Sequence, residues 1–72
     1  MRLLRRIITD ISGVDQKETE REHKINEELV NLQTDSNGKR NKFIEILNVN
    51  EITKNTGRIV VFDIVYEDKS LD

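Results

Sequence analysis

The chain has 72 residues, enough for a single domain. Charged residues make up 36% and hydrophobic residues 35%, with a formal net charge of −2 at pH 7, a balance that argues against both a membrane protein and a fully disordered one. No apolar run approaches the about 18 residues of a membrane span. The absence of cysteine excludes disulfides, thiolate metal ligands and thiol nucleophiles. A cytoplasmic location is the default expectation.

The first patterned segment, residues 3–11, is compatible with two structures. As a helix it would carry an apolar stripe of Leu3, Leu4, Ile7, Ile8 and Ile11. As a strand it would be apolar on both faces, which suits a central position in a sheet. The β-branched run Ile7-Ile8-Thr9 favours the strand, with the helix as the alternative.

Residues 15–32 are predicted to form a helix. Lys24 lies four residues from both Glu20 and Glu28, and such oppositely charged pairs stabilise helices. The apolar stripe occupies only the C-terminal half, at Ile25, Leu29 and Leu32. We therefore expect that half to face the core, and the N-terminal half to project into water or to meet a partner.

Two strands are predicted to follow. In residues 43–52 the apolar alternation slips at Leu47 and Val49, which predicts a β-bulge. Residues 54–57 form a hairpin loop that ends in Gly57. Residues 58–66 form the clearest strand. The predicted fold is therefore an α+β domain of order β-α-β-β over residues 1–67, with a three-stranded sheet, one helix on one face, and a polar tail at residues 68–72.

The last predicted strand is apolar on both faces. Its first face carries Val60, Phe62, Ile64 and Tyr66, and its second carries Ile59, Val61 and Val65. One helix covers only one face of such a sheet, so the second set needs another cover. A core this small rarely supplies more than about 3–5 kcal/mol. We therefore predict a homo-oligomer, a dimer or larger, with Ile59, Val61 and Val65 at the interface.

The chain offers little for catalysis or metal binding. Glu20-x-x-His23 has the spacing of a helical metal motif, but the chain contains one histidine, so a solvated charged face is the favoured interpretation. Asp63 interrupts an apolar strand and is the best acid/base candidate, although an edge or interface position explains it more simply. We expect no catalytic residues, no metal and no cofactor.

Basic residues predict an anion site. One group is Lys39, Arg40 and Lys42, and Arg58 is expected to lie near it across the hairpin; Arg5 and Arg6 form the other. Such groups suit a phosphate, an anionic nucleotide-like ligand or an acidic protein patch. Nucleic acid is not an expected partner, because the chain is acidic overall and only 4% aromatic.

Three stretches suggest a family: Lys24-Ile25-Asn26-Glu27-Glu28-Leu29, Lys42-Phe43-Ile44-Glu45-Ile46, and Arg58 to Tyr66. Their order over residues 20–67 resembles the small acidic sporulation-associated proteins of bacilli. The resemblance implies a strand, a charged helix and a hairpin, and it carries over no catalytic residue. The Asn37-Gly38 loop and the arginine-rich start depart from that pattern.

The chain is rich in Ile, Asn, Lys and Glu and has no Pro or Ala, a usage that suggests an AT-rich genome. The predicted function is that of a non-enzymatic, homo-oligomeric interaction protein of a low-GC bacterium or its phage. The alternative is a phage-encoded inhibitor of a host defence system. Such an inhibitor would dock on a host protein or sequester a phosphate-bearing signal.

Overall fold

A computed structural model describes residues 1–13, 15 and 17–71. The sheet has the strand order β1-β3-β2, with both neighbours antiparallel to β3. The predicted α+β domain, with a three-stranded sheet and one helix, is confirmed. Its elements are β1 (Arg2–Asp10), α1 (Lys17–Leu32), β2 (Ile44–Lys54) and β3 (Ile59–Asp68), with 3₁₀ turns at Asn55–Gly57 and Lys69–Leu71.

The segment with two possible structures is a strand. β1 pairs with β3 along its whole length, from Arg2 opposite Glu67 to Asp10 opposite Ile59. The β-branched residues in its second half suit this pairing, because their stiff side chains pack well on a pleated surface. Since β2 pairs with the other side of β3, the last strand is the central one, and the central position expected for residues 3–11 is wrong: β1 is an edge strand.

β2 carries the predicted bulge. Its register against β3 shifts between Ile46 and Asn48, so Leu47 is the extra residue. The alternation of side chains therefore resumes one residue late after Leu47, which is the slip visible in the sequence.

The core is built almost entirely from one strand. Among the described residues, Ile11 is the one buried hydrophobic outside β3; the others are Val60, Val61, Phe62 and Ile64. A central strand buries its residues well because neighbouring strands shield it on both sides. Ile7 of β1 and Ile25 of α1 pack against the cluster formed by Ile11, Val60 and Phe62.

The helix α1 lies loosely over one face of this sheet. None of its described residues is buried, and Ile25, Leu29 and Leu32 are half-buried as the stripe predicts. The N-terminal half is mostly exposed to water, at residues 17–19, 22 and 23, but it also contacts the sheet. Arg21, in that half, places Nε 3.0 Å from a carboxylate oxygen of Glu51 on β2.

The predicted tail is partly structured. Asp68 still belongs to β3, and the backbone N–H of Lys69 donates a 2.9 Å hydrogen bond to the carbonyl of Phe43. Asp72 lies outside the described residues. No helix in the described part of the chain is long and apolar enough to cross a membrane.

Candidate functional site

The sheet face opposite α1 has no covering element among the described residues. The strand register shows which residues share this face. Leu4 is paired with Val65, Arg6 with Asp63, and Ile8 with Val61. On the other side of β3, Ile52 of β2 is paired with Val61. We call this surface the open face; its central residues are Leu4, Arg6, Ile8, Ile52, Ile59, Val61, Asp63 and Val65.

The apolar side chains of the open face are unequally exposed. Leu4 is 59% exposed, Ile8 67% and Ile52 39%, whereas Val61 is only 5% exposed. Val61 is covered by its own neighbours, since Ile8 and Ile52 flank it across the two ladders.

The exposed apolar residues of the open face are not the ones predicted to form the interface. Ile59, Val61 and Val65 do share the open face, but Ile59 and Val65 are half-buried and Val61 is buried. The accessible apolar surface comes instead from the edge strands, through Leu4, Ile8 and Ile52. The sequence contains the period-two signal in β1, but assigning it to this face requires the register with β3.

A charge pair crosses the middle of the open face. Arg6 donates two hydrogen bonds to the Asp63 carboxylate, from Nε at 2.7 Å and from Nη2 at 2.9 Å. The hydrogen bond from Arg6 lowers the pKa of Asp63, and the positive charges of Arg6 and Lys54 lower it further. A carboxylate that stays ionised in a bidentate pair is poorly suited to donate a proton near neutral pH. Asp63 lies on the central strand, which rules out the edge position; the interface position, the other part of that expectation, stays a prediction.

The six predicted anion-binding residues do not form one site. Arg5 and Arg6 point to opposite faces of β1. Arg5 Nη2 lies 3.5 Å from a carboxylate oxygen of Glu28 on α1, whereas Arg6 forms the ion pair with Asp63. Each of these arginines therefore already has a carboxylate partner.

Arg58 is also separated from the loop cations. It precedes Ile59, which pairs with Lys54, whereas Lys42 precedes Ile44, which pairs with Asp68 at the other end of β3. The expectation that Arg58 approaches Lys42 across the hairpin is wrong. Arg58 lies instead near Asp10, whose pKa is lowered mainly by hydrogen bonds from Ser12 and slightly by this arginine.

Lys39, Arg40 and Lys42 do lie together, and a fourth cation that no sequence pattern indicated lies beside them. Lys69 joins Arg40 and Lys42 around a concavity of about 470 Å³. We call this the basic cleft; its lining residues are Gln33, Arg40, Lys42, Ile44, Glu45, Ile46 and Lys69. Lys39 lies next to it, in a second concavity that also includes Arg40 and Lys42.

The helical motif is a solvated surface. His23 is exposed, and its Nε2 lies 3.8 Å from a carboxylate oxygen of Glu27, one turn further along α1. Within residues 1–13, 15 and 17–71, no three His, Asp or Glu side chains are grouped closely enough to hold a metal ion.

The open face and the basic cleft are thus the two surfaces with distinctive chemistry. Comparison of the chain with protein-family models, with curated proteins and with solved structures found no match. The resemblance to the small acidic sporulation-associated proteins therefore stays a prediction.

Proposed function

We propose that the protein is a non-enzymatic interaction protein that acts as a homo-oligomer, and that its basic unit is a dimer joined through the open face. The observation that carries this proposal is the group of exposed apolar side chains, Leu4, Ile8 and Ile52, on a sheet face that no described element covers. A sheet with apolar residues on both faces is normally covered on both.

The pattern of the open face favours a second copy of the same chain. The Arg6–Asp63 pair forms its centre, with Leu4 and Val65 on one side and Ile8 and Val61 on the other. A two-fold axis that crosses the strands through this pair would place Leu4 over the partner's Ile8. The arrangement is self-complementary, as an isologous interface must be.

The charges on this face are compatible with burial. Arg6 and Asp63 neutralise each other within one copy, so a dimer would bury a hydrogen-bonded pair, at a smaller cost than an isolated charge. The same axis would place Arg6 over the partner's Arg6, so each guanidinium stays with the Asp63 of its own copy, to which it donates two hydrogen bonds.

The molecule is broad and thin. The Cα atoms of the chain span 40 × 23 × 13 Å, so a face-to-face dimer would join two broad sides, where an interface of about 800 Å² per partner could form. Each large apolar side chain that becomes fully buried contributes roughly 1.5–3 kcal/mol. Several such residues would match the about 3–5 kcal/mol expected from a core of this size.

Light scattering at micromolar concentration tests the proposal. We expect twice the monomer mass of 8.5 kDa for the wild type, and the monomer mass for Ile8→Lys. Ile8 is 67% exposed, so lysine fits the folded monomer, which circular dichroism would verify. Val30→Lys is the matched control, because Val30 is 61% exposed on the helix and should leave the dimer intact.

Two results would contradict the proposal. An 8.5 kDa wild type would exclude a dimer at that concentration. A folded Ile8→Lys variant that keeps the wild-type mass would place the contact elsewhere, the free edge of β1 being the next surface to examine.

A further inference from the structure

The basic cleft gathers cations from two segments that are distant in the sequence. Arg40 and Lys42 lie in the loop before β2, and Lys69 lies in the turn after β3. Two contacts bring these segments together: the pairing of Ile44 with Asp68, and the hydrogen bond from the Lys69 N–H to the Phe43 carbonyl. The cleft is therefore a product of the hairpin register.

The loop that carries Arg40 and Lys42 is held by its own hydrogen bonds. The Asp35 carboxylate accepts hydrogen bonds from the backbone N–H groups of Asn37 and Lys39, both at 2.9 Å. The N–H of Asn41 donates to the carbonyl of Gln33 at 2.7 Å. These bonds hold the backbone on both sides of Arg40, so little backbone order would have to be gained when a ligand binds.

The described residues balance the charge of the cleft only in part. Glu45 is the acidic residue in its lining, and its carboxylate is 3.6 Å from the Lys69 ammonium. In the described part of the chain, neither Arg40 nor Lys42 forms an ion pair with a carboxylate. Two of the three cations are therefore available to an anion.

The rest of the lining suits a small organic ligand. Ile44 and Ile46 of β2 contribute a small apolar part to a mostly polar lining, and Gln33 adds an amide that can both donate and accept. Arginine and lysine form strong, charge-assisted hydrogen bonds with phosphate oxygens, and the two isoleucines leave room for contact with an attached organic group.

We infer that the basic cleft binds the phosphate group of a small phosphorylated molecule, with the remainder of the ligand against Ile44 and Ile46. Arg40 supplies a planar donor pair for two phosphate oxygens, and Lys42 adds a point charge. Lys69, whose ammonium also lies near the Glu45 carboxylate, is the third cation of the cleft. This inference goes beyond the proposed function, because Ile44 and Ile46 lie on the helix-facing side of the sheet rather than on the open face.

Titrations with inorganic phosphate and with adenosine 5′-monophosphate, followed by backbone amide NMR shifts, test the inference. We expect saturable shifts at residues 40–42 and 69. The double variant Arg40→Gln/Lys42→Gln should weaken binding at least tenfold. The matched control is Lys54→Gln/Arg58→Gln, which removes the same charge at the opposite end of β3 and should bind as the wild type does. Added salt should weaken binding to the wild type.

Three outcomes would overturn the inference in whole or in part. Absence of saturable binding of either probe would exclude the site. An equal loss in both double variants would mean that net charge alone attracts the anion. Equal affinity for the two probes would refute the role given to Ile44 and Ile46. The mass of each variant, measured on the same samples, keeps these outcomes separate from a failure of the dimer.

Discussion

At the scale of single residues, the pairing with Arg6 explains why an aspartate, Asp63, is present in an apolar strand. An aspartate in an apolar strand is costly unless its carboxylate is paired. Its partner lies 57 positions away in the chain, on β1, and binds it through two hydrogen bonds. The pair links an edge strand to the central strand and divides the apolar surface of the open face into two halves.

The pair predicts a pH dependence. Arg6 lowers the pKa of Asp63 in the folded protein, chiefly through the hydrogen bond. The Arg6–Asp63 pair therefore stabilises the folded protein fully at pH values above the pKa of Asp63 in the unfolded chain, about 4. This stabilisation is lost as the pH falls through the pKa of Asp63 in the folded protein. Urea unfolding at pH 6, 4 and 3 should show the wild type losing its advantage over Asp63→Asn as the pH falls.

Asp10 provides the comparison for this experiment. Its pKa is lowered mainly by hydrogen bonds from Ser12, so Asp63→Asn should keep part of the acid sensitivity, and Asp10→Asn should remove another part. If the difference in stability between wild type and Asp63→Asn is the same at all three pH values, the pair does not titrate in this range.

At the scale of elements, the turn between β2 and β3 has an unusual backbone. Three successive residues have positive φ: Asn55 at 53°, Thr56 at 55° and Gly57 at 90°. Asparagine tolerates this region and glycine adopts it freely, whereas a β-branched threonine does not. The turn thus carries strain at Thr56, and Gly57 is the position where a side chain would add more.

We expect Gly57→Val to lower the free energy of unfolding by about 1–3 kcal/mol, the usual cost of forcing a non-glycine residue into such a conformation. A Cβ at Gly57 would meet no atom within 4 Å, so the cost comes from the backbone alone. Gly13→Val is the matched control, since Gly13 has equally open surroundings without a φ in the left-handed range. Equal melting temperatures for the two variants would show that the turn does not require glycine.

At the scale of the whole molecule, one strand carries nearly all of the core. Four of the five buried hydrophobic residues described lie on β3, and the helix adds no buried residue of its own. Such a thin, two-layer arrangement leaves the monomer near the lower limit of stability for its size. A dimer through the open face would add a third layer and make β3 interior on both sides.

The dimer predicts that the melting temperature depends on protein concentration. Association that involves only folded chains stabilises them by mass action, so the wild type should melt at a higher temperature as concentration rises from about 2 to about 200 µM. Ile8→Lys should melt at the same temperature throughout. A wild-type melting temperature that does not change over this range would mean that unfolding is not coupled to dissociation.

The local structure could be predicted from the sequence, because it depends on neighbouring residues. The β-branched run of β1, the helical stripe through Ile25, the bulge near Leu47 and the turn at Gly57 are each encoded within a few positions, and the structure has all four. The apolar alternation of β3 also predicted a face that α1 does not cover.

The functional surfaces depend on which strands pair and in what register, and only the tertiary structure decided that. The order β1-β3-β2 places Arg6 opposite Asp63, and it places Val61 between Ile8 and Ile52. The same register sends Arg58 to the far end of the sheet and brings Lys69 to Lys42. These contacts join residues tens of positions apart, and no local pattern specifies them, because strand pairing is selected by the burial of the whole sheet.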